Sequence, residues 1–163
     1  LTLWLGGAAT VRFALAEGLR RIGVAVPVLS KVTWATMRPT EQRTVVQGPN
    51  LYGQGIVLTL AFFPRAGATV GILILAVGDS VASLAGRAFG STALPHNPGK
   101  TVVGSFSLFA VGVIIATFFV SIPWAFAIGA SAALVESLSV GATDNLLLPV
   151  VAAGVVTLAR AVH

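Results

Sequence analysis

The stretch that decides the fold runs from Gly78 to Gly90 and reads GDSVASLAGRAFG. It directly follows the apolar run Ala68–Val77, so Asp79 falls where the chain still has the composition of a membrane-spanning helix. A carboxylate at the centre of such a helix costs about 2.5–3.5 kcal/mol on insertion scales, which makes an embedded acid a functional candidate by default. The structural alternative is a polar residue buried between helices.

The spacing within this stretch predicts a polar helix face. Residues three and four apart are neighbours on a helix, so Asp79, Ser83 and Arg87 lie on one side. The residues around them are small, which lets a backbone or a ligand come close. A binding face and a buried polar spot both stay open on this evidence.

The composition is that of a membrane protein. Of 163 residues, 56% are hydrophobic and 9% are charged, with a mean hydropathy of +0.94. Soluble domains carry about 25% charged residues. We therefore expect an all-α, polytopic membrane-embedded helical bundle that forms a single domain over residues 1–163, without a soluble domain. Since the chain begins at Leu1 inside an apolar stretch, we also expect upstream residues to be missing.

About six apolar segments are expected, about five of them long enough to span a bilayer. They are Leu1–Ala16, Leu51–Phe63, Gly67–Gly86, Gly104–Ser121, Pro123–Ser139 and Asp144–Val162. Residues 17–48 are basic, and their apolar middle is too short to span, so this segment is predicted to be cytoplasmic and interfacial. Residues 88–103 are rich in Gly and Pro and are predicted to be a cytoplasmic substrate-binding loop. No strand pattern is evident.

Topology gives the charges a sidedness. If each later apolar segment crosses once, the basic segment 17–48 shares a side with Arg87 and Lys100, whereas Arg65 and Arg160 lie opposite. The positive-inside rule makes the first side cytoplasmic. The net charge of +5 is therefore interpreted through topology, and no nucleic-acid partner is expected.

Three of the five acidic residues reach the same predicted face: Asp79, Glu136 and Asp144. Glu136 would also be explained as a snorkelling residue at a helix end. Asp144 would also be explained as a helix N-cap, although capping and metal binding are compatible because a carboxylate has two oxygens. Carboxylates from separate helix ends suit Mg²⁺, which takes one or two of them together with substrate phosphates.

A second candidate is Pro98-Gly99-Lys100-Thr101, which resembles the end of a phosphate-binding P-loop. The full pattern needs a glycine where this chain has Leu94, and a strand before it, so a P-loop NTPase fold is excluded. Lys100 can still contact phosphates beside the backbone amides of the following helix, or it lies at the lipid headgroup level. His96 is interpreted as an ordinary loop residue. The absence of cysteine excludes disulfides and thiolate ligands.

Three motifs occur in order along the chain. They are GDx6GRxFG from Gly78, NxxKTxxGS from Asn97, and ESLS from Glu136 followed by DNLxxP from Asp144. Together they resemble the CTP-dependent polyprenol kinase family, which includes dolichol kinases, phytol kinases and CTP-dependent diacylglycerol kinases. One departure is Val103, where the family usually has an acid.

The resemblance implies a membrane enzyme that transfers the γ-phosphoryl group of CTP to a lipid alcohol, with Mg²⁺ or Mn²⁺ as cofactor. It implies that Asp79 and Asp144 are metal ligands and that Glu136 is a third catalytic acid or base. It also implies that seven residues contact the nucleotide or its phosphates: Gly78, Ser83, Arg87, Lys100, Thr101, Gly104 and Asn145. The expected partners are CTP, the lipid alcohol and membrane lipids. No pattern specifies an oligomeric state.

Two alternatives stay open. The CTP:phosphatidate cytidylyltransferases also carry a Gly-Asp-x2-Ala-Ser motif, as at Gly78–Ser83, but their late Asp-Arg-x-Asp motif is Asp144-Asn145-Leu146-Leu147 here. A transporter would use membrane acids as an ion path. Against a transporter, the acids lie at helix ends, and no inverted repeat is visible.

Overall fold

The computed structural model describes Val11 and residues 48–162. Residues 48–162 form five helices joined by short turns and one β-hairpin. The helices are α1 (Gly48–Phe62), α2 (Arg65–Phe89), α3 (Val102–Thr117), α4 (Ile122–Leu138) and α5 (Asp144–Ala161). The predominantly helical fold predicted from composition is confirmed. The predictions for residues 1–47 lie outside the described residues, apart from Val11.

The prediction that residues 88–103 are loop without strand is wrong in part. Strands β1 (Ala93–Leu94) and β2 (Asn97–Thr101) form an antiparallel hairpin between α2 and α3. Such short strands show no alternating pattern that a sequence could reveal. An isolated two-stranded hairpin is marginally stable, so this one depends on contacts with the helices.

Helix α2 changes character halfway along its length. Residues Ile74–Gly78 form a π-helical turn, after which the α-helix resumes at Asp79. Before this turn α2 packs against α5, and after it α2 packs against α3. A π turn inserts an extra residue and so changes the direction of the side chains that follow. The turn therefore sets the direction in which Asp79 points.

The remaining contacts place several chain segments at one end of the bundle. Helix α3 packs against α4, α4 against α5, and α5 against α1. The N-termini of α1, α3 and α5 consequently lie at the same end as the C-termini of α2 and α4. The hairpin is at this end as well, and the turn between α3 and α4 is at the opposite end.

The described helices differ in their capacity to span a membrane. Helices α2 and α5 are long and apolar enough to cross one, whereas α3 and α4 are apolar but have only 16 and 17 residues. The buried core contains large apolar side chains: Ile74, Leu75, Leu108, Ile128 and Leu148. Other large apolar side chains lie on the outside, including Phe106 at 67% exposure and Phe118 at 80%.

Candidate active site

A cleft of about 520 Å³ opens at the hairpin end of the bundle. Its walls come from the second half of α2, from β2, and from the adjoining ends of α3, α4 and α5. The polar residues that line it are Asp79, Ser83, Arg87, Asn97, Lys100, Thr101, Glu136, Ser139, Asp144 and Asn145. The structure thus brings together every predicted site residue except Gly78, from three motifs that are far apart in the sequence.

Lys100 is the central charge of the cleft. Its Nζ donates to Asp144 Oδ2 at 2.6 Å and lies 3.0 Å from Glu136 Oε1. Burial alone would lower the pKa of Lys100, but the hydrogen bonds and negative charges of the two carboxylates outweigh it, so this pKa lies above its ordinary value. Lys100 therefore stays charged at neutral pH.

Both carboxylates are held on their remaining oxygens. Ser105 Oγ donates to Glu136 Oε2 at 2.7 Å, and the backbone N–H of Asn145 donates to Asp144 Oδ1 at 2.9 Å. Glu136 lies in the last turn of α4, where the helix dipole is unfavourable for an anion, so the adjacent ammonium of Lys100 compensates for it. No local pattern indicates the role of Ser105, because its partner is 31 residues further along the chain.

Asn97 fixes the hairpin to α4. Its Nδ2 donates to the backbone oxygens of Ser137 and Ser139, each at 2.9 Å. Carbonyls at the end of a helix lack intrahelical partners, so this amide satisfies two of them. The same two bonds hold β2, which carries Lys100, beside Glu136. Asn97 belongs to the second motif, but its role could not be inferred without knowing that the hairpin meets α4.

Thr101 and Gly78, both predicted to contact the nucleotide or its phosphates, have structural roles in the fold. Thr101 is the N-cap of α3, and its Oγ1 accepts from the Gly104 N–H at 3.1 Å. A methyl group on Gly86 would come within 2.8 Å of that same oxygen, so α2 and α3 can approach here only with glycine. Gly78 lies outside the cleft lining, and a methyl group on it would come within 2.8 Å of Leu108. Packing accounts for its small size.

The other charged residues are on α2 and α5. Asp79 is half-buried and begins the second half of α2, and Arg87 is exposed two turns later, with its Nε donating to Ser83 O at 3.2 Å. This confirms the predicted helical face. Asp144 is the first residue of α5, whereas the N-cap position belongs to Thr143.

The acidic residues fit one kind of metal site and not another. Within residues 48–162, no three His, Asp or Glu side chains are grouped so that they could hold a metal ion by themselves. Asp144 and Glu136 are already bonded to Lys100. The donors therefore fit a Mg²⁺ ion that takes one or two carboxylates and completes its shell with water and nucleotide phosphates, and do not form an all-protein cage.

No protein-family model matches this chain, and no solved structure matches it. Curated proteins do match. The chain is 34% identical to phytol kinase 1, chloroplastic, of Arabidopsis thaliana, over 66% of this chain and 35% of that protein. It is 29% identical to probable phytol kinase 2, chloroplastic, of Oryza sativa subsp. japonica, over 88% of this chain and 55% of that protein.

A third relative is probable phytol kinase 1, chloroplastic, of Glycine max, which is 31% identical over 44% of this chain and 24% of its own length. The chain thus spans between about a quarter and about half of the length of these relatives. All three carry the phytol kinase name. They confirm the resemblance to the CTP-dependent polyprenol and phytol kinase family that the three ordered motifs indicated.

Proposed function

We propose that this chain carries the active site of a membrane lipid-alcohol kinase that uses CTP as its phosphoryl donor. The observation that carries the proposal is the convergence of three distant motifs on one cleft that holds two cations and three carboxylates. Phytol, named in the relatives, is a lipid alcohol, so the same class of acceptor is proposed here.

In the proposed reaction, the hydroxyl oxygen of the lipid forms a bond to the γ-phosphorus. The bond from that phosphorus to the β–γ bridging oxygen breaks, CDP leaves, and the hydroxyl proton passes to water. Positioning and charge neutralisation dominate catalysis of such transfers because the transition state is loose. A magnesium ion bound with the nucleotide would neutralise charge on the phosphates.

The residues of the cleft suit these tasks. An ammonium has three N–H donors, and the carboxylates of Asp144 and Glu136 account for two of those of Lys100, so a third is left for a phosphate oxygen. The guanidinium of Arg87 offers a second cation for the phosphates. Asp79 and Asp144 are the proposed contacts for the metal. We assign Glu136 to holding Lys100, because it is buried and both of its oxygens are bonded.

We also propose that the bundle is embedded in a membrane with the cleft on the cytoplasmic side. Soluble monomers rarely expose contiguous apolar patches beyond a few hundred Å². Here large apolar side chains are exposed along α3 and α4, among them Ile114 at 60% and Leu134 at 59%. Lipid would cover them. Arg65 and Arg160 lie at the end opposite the cleft, which agrees with the sidedness predicted from the positive-inside rule.

Single cysteines test this orientation, since the chain has none of its own. Cysteines in place of Ser91 and Val140 should react with an impermeant thiol reagent only from the cytoplasmic side, and a cysteine in place of Ser121 only from the other side. Gly141 is a poor site for the probe, because its φ of 68° disfavours any side chain. Labelling of positions 91 and 140 from opposite sides would contradict the shared cleft.

The proposed reaction is tested with the protein in lipid vesicles that contain phytol, supplied with CTP labelled at either the α or the γ phosphorus. Label should enter the lipid from the γ position alone, and a chelator should remove the activity. Transfer from the α position would indicate the cytidylyltransferase alternative. Equal turnover of γ-labelled ATP would refute the choice of CTP but leave the kinase proposal standing.

A further inference from the structure

We infer that Lys100 occupies the cation position between Glu136 and Asp144, so that the cleft excludes a divalent cation in the absence of nucleotide and takes one only together with the nucleotide. The inference has two parts. The exclusion of a divalent cation is a property of the protein alone and is tested without any reaction. The joint entry of metal and nucleotide rests on the proposed function.

The geometry is that of a cation bridged by two carboxylates. One nitrogen lies 2.6 Å from Asp144 Oδ2 and 3.0 Å from Glu136 Oε1. Oxygen–metal distances for Mg²⁺ are about 2.0–2.1 Å, so the two oxygens would need to move inward by less than about 1 Å to bind an ion in the same place. The ammonium and a hard divalent cation therefore compete for a single position.

Burial makes this competition strong. The side chains of Glu136 and Asp144 are each 5% exposed, and that of Lys100 is 17% exposed. Two carboxylates so far from water need a positive partner, because an uncompensated buried charge is costly. Lys100, bonded to both, satisfies that need. A divalent cation therefore gains little at this position, and the ion that enters with the nucleotide is bound instead by the phosphates together with Asp79 and Asp144.

The fixed position of Lys100 supports the same conclusion. Asn97, three residues before Lys100, donates two hydrogen bonds to the end of α4. Thr101, the residue after Lys100, is anchored by its N-cap hydrogen bond to α3. The backbone of Lys100 is thus held on both sides, with its side chain directed at the two acids. Lys100 is consequently held in place between Glu136 and Asp144. Arg87 differs, because its Nε donates a hydrogen bond within its own helix.

The test is Mn²⁺ binding to the detergent-solubilised protein without nucleotide, followed by electron paramagnetic resonance. Lys100→Gln should bind Mn²⁺ at least tenfold more tightly than wild type, because it frees the two carboxylates. Lys100→Arg, which keeps a cation, should stay at the wild-type affinity. Arg87→Gln removes a charge from the same cleft and should change the affinity less than threefold. Adding Asp144→Asn to Lys100→Gln should abolish the gain.

If Lys100→Gln folds poorly, its thermal unfolding with and without Mn²⁺ still reports whether the cation binds. Mn²⁺ should then raise its midpoint markedly while leaving that of wild type unchanged. The inference is overturned if wild type binds Mn²⁺ as tightly as Lys100→Gln, or if Mn²⁺ fails to stabilise the variant. Neither result bears on the γ-label assay, so a failure here and a failure of the kinase proposal can be told apart.

Discussion

Replacing Asp79 with asparagine should abolish phosphoryl transfer while the protein remains folded. Asparagine keeps the shape and much of the hydrogen bonding of aspartate but removes the charge that we assign to the metal-bound nucleotide. Loss of a single electrostatic contact to a transition state costs roughly 100- to 1,000-fold in rate, and we expect at least that for Asp79. The measurement is transfer of γ-label to lipid beside thermal unfolding in detergent.

Ser80→Ala is the matched control for Asp79→Asn. Ser80 is the next residue on α2, is exposed, and bonds back to Ala76 O at 2.7 Å, outside the cleft. Its removal should leave transfer close to wild type. An Asp79→Asn protein that folds normally and transfers label at near the wild-type rate would remove Asp79 from the site.

Replacing Lys100 with alanine should destabilise the protein as well as inactivate it. The change leaves Glu136 and Asp144 buried and facing each other without a counter-charge. Removing one partner of a buried ion pair typically costs about 3–5 kcal/mol. We expect Lys100→Ala to lower the free energy of unfolding by that amount, because two buried carboxylates lose their counter-charge. The free energy of unfolding, measured with denaturant in detergent at neutral pH, gives the size of the effect.

Two further variants separate charge from packing at this position. Lys100→Arg should retain most of the stability, since its cation can still meet both acids. Combining Lys100→Met with Glu136→Gln and Asp144→Asn removes all three charges and should recover part of the loss. If Lys100→Ala were as stable as wild type, the ion triad would not hold this end of the bundle together.

The sequence allowed the site residues to be named but not their mutual bonds. Asp79, Ser83 and Arg87 could be placed on one face because helical spacing is local. The meeting of β2 with the end of α4 depends on helix packing, which no local pattern encodes. Lys100 was therefore predicted to contact phosphate, and its bonds to both acids became evident only in the folded chain.

Element boundaries show the same division. Breaker residues such as Pro64 and Gly141 mark true interruptions, at the start of α2 and between α4 and α5. The hairpin could not be predicted, because its strands are short and depend on the hydrogen bonds from Asn97 to the end of α4. The π turn before Asp79 was also missed, since the apolar run Ala68–Val77 reads as an unbroken helix.

The most direct test of the central claim, that the cleft holds the nucleotide, is protection of a single cysteine by CTP. The chain has no native cysteine, so Ser83→Cys on the cleft wall and Ser121→Cys at the opposite end can be compared in otherwise identical proteins. Saturating CTP with Mg²⁺ should slow thiol modification at position 83 by at least tenfold and leave position 121 unchanged. Unchanged modification at position 83, or equal slowing at both positions, would contradict a nucleotide site in this cleft.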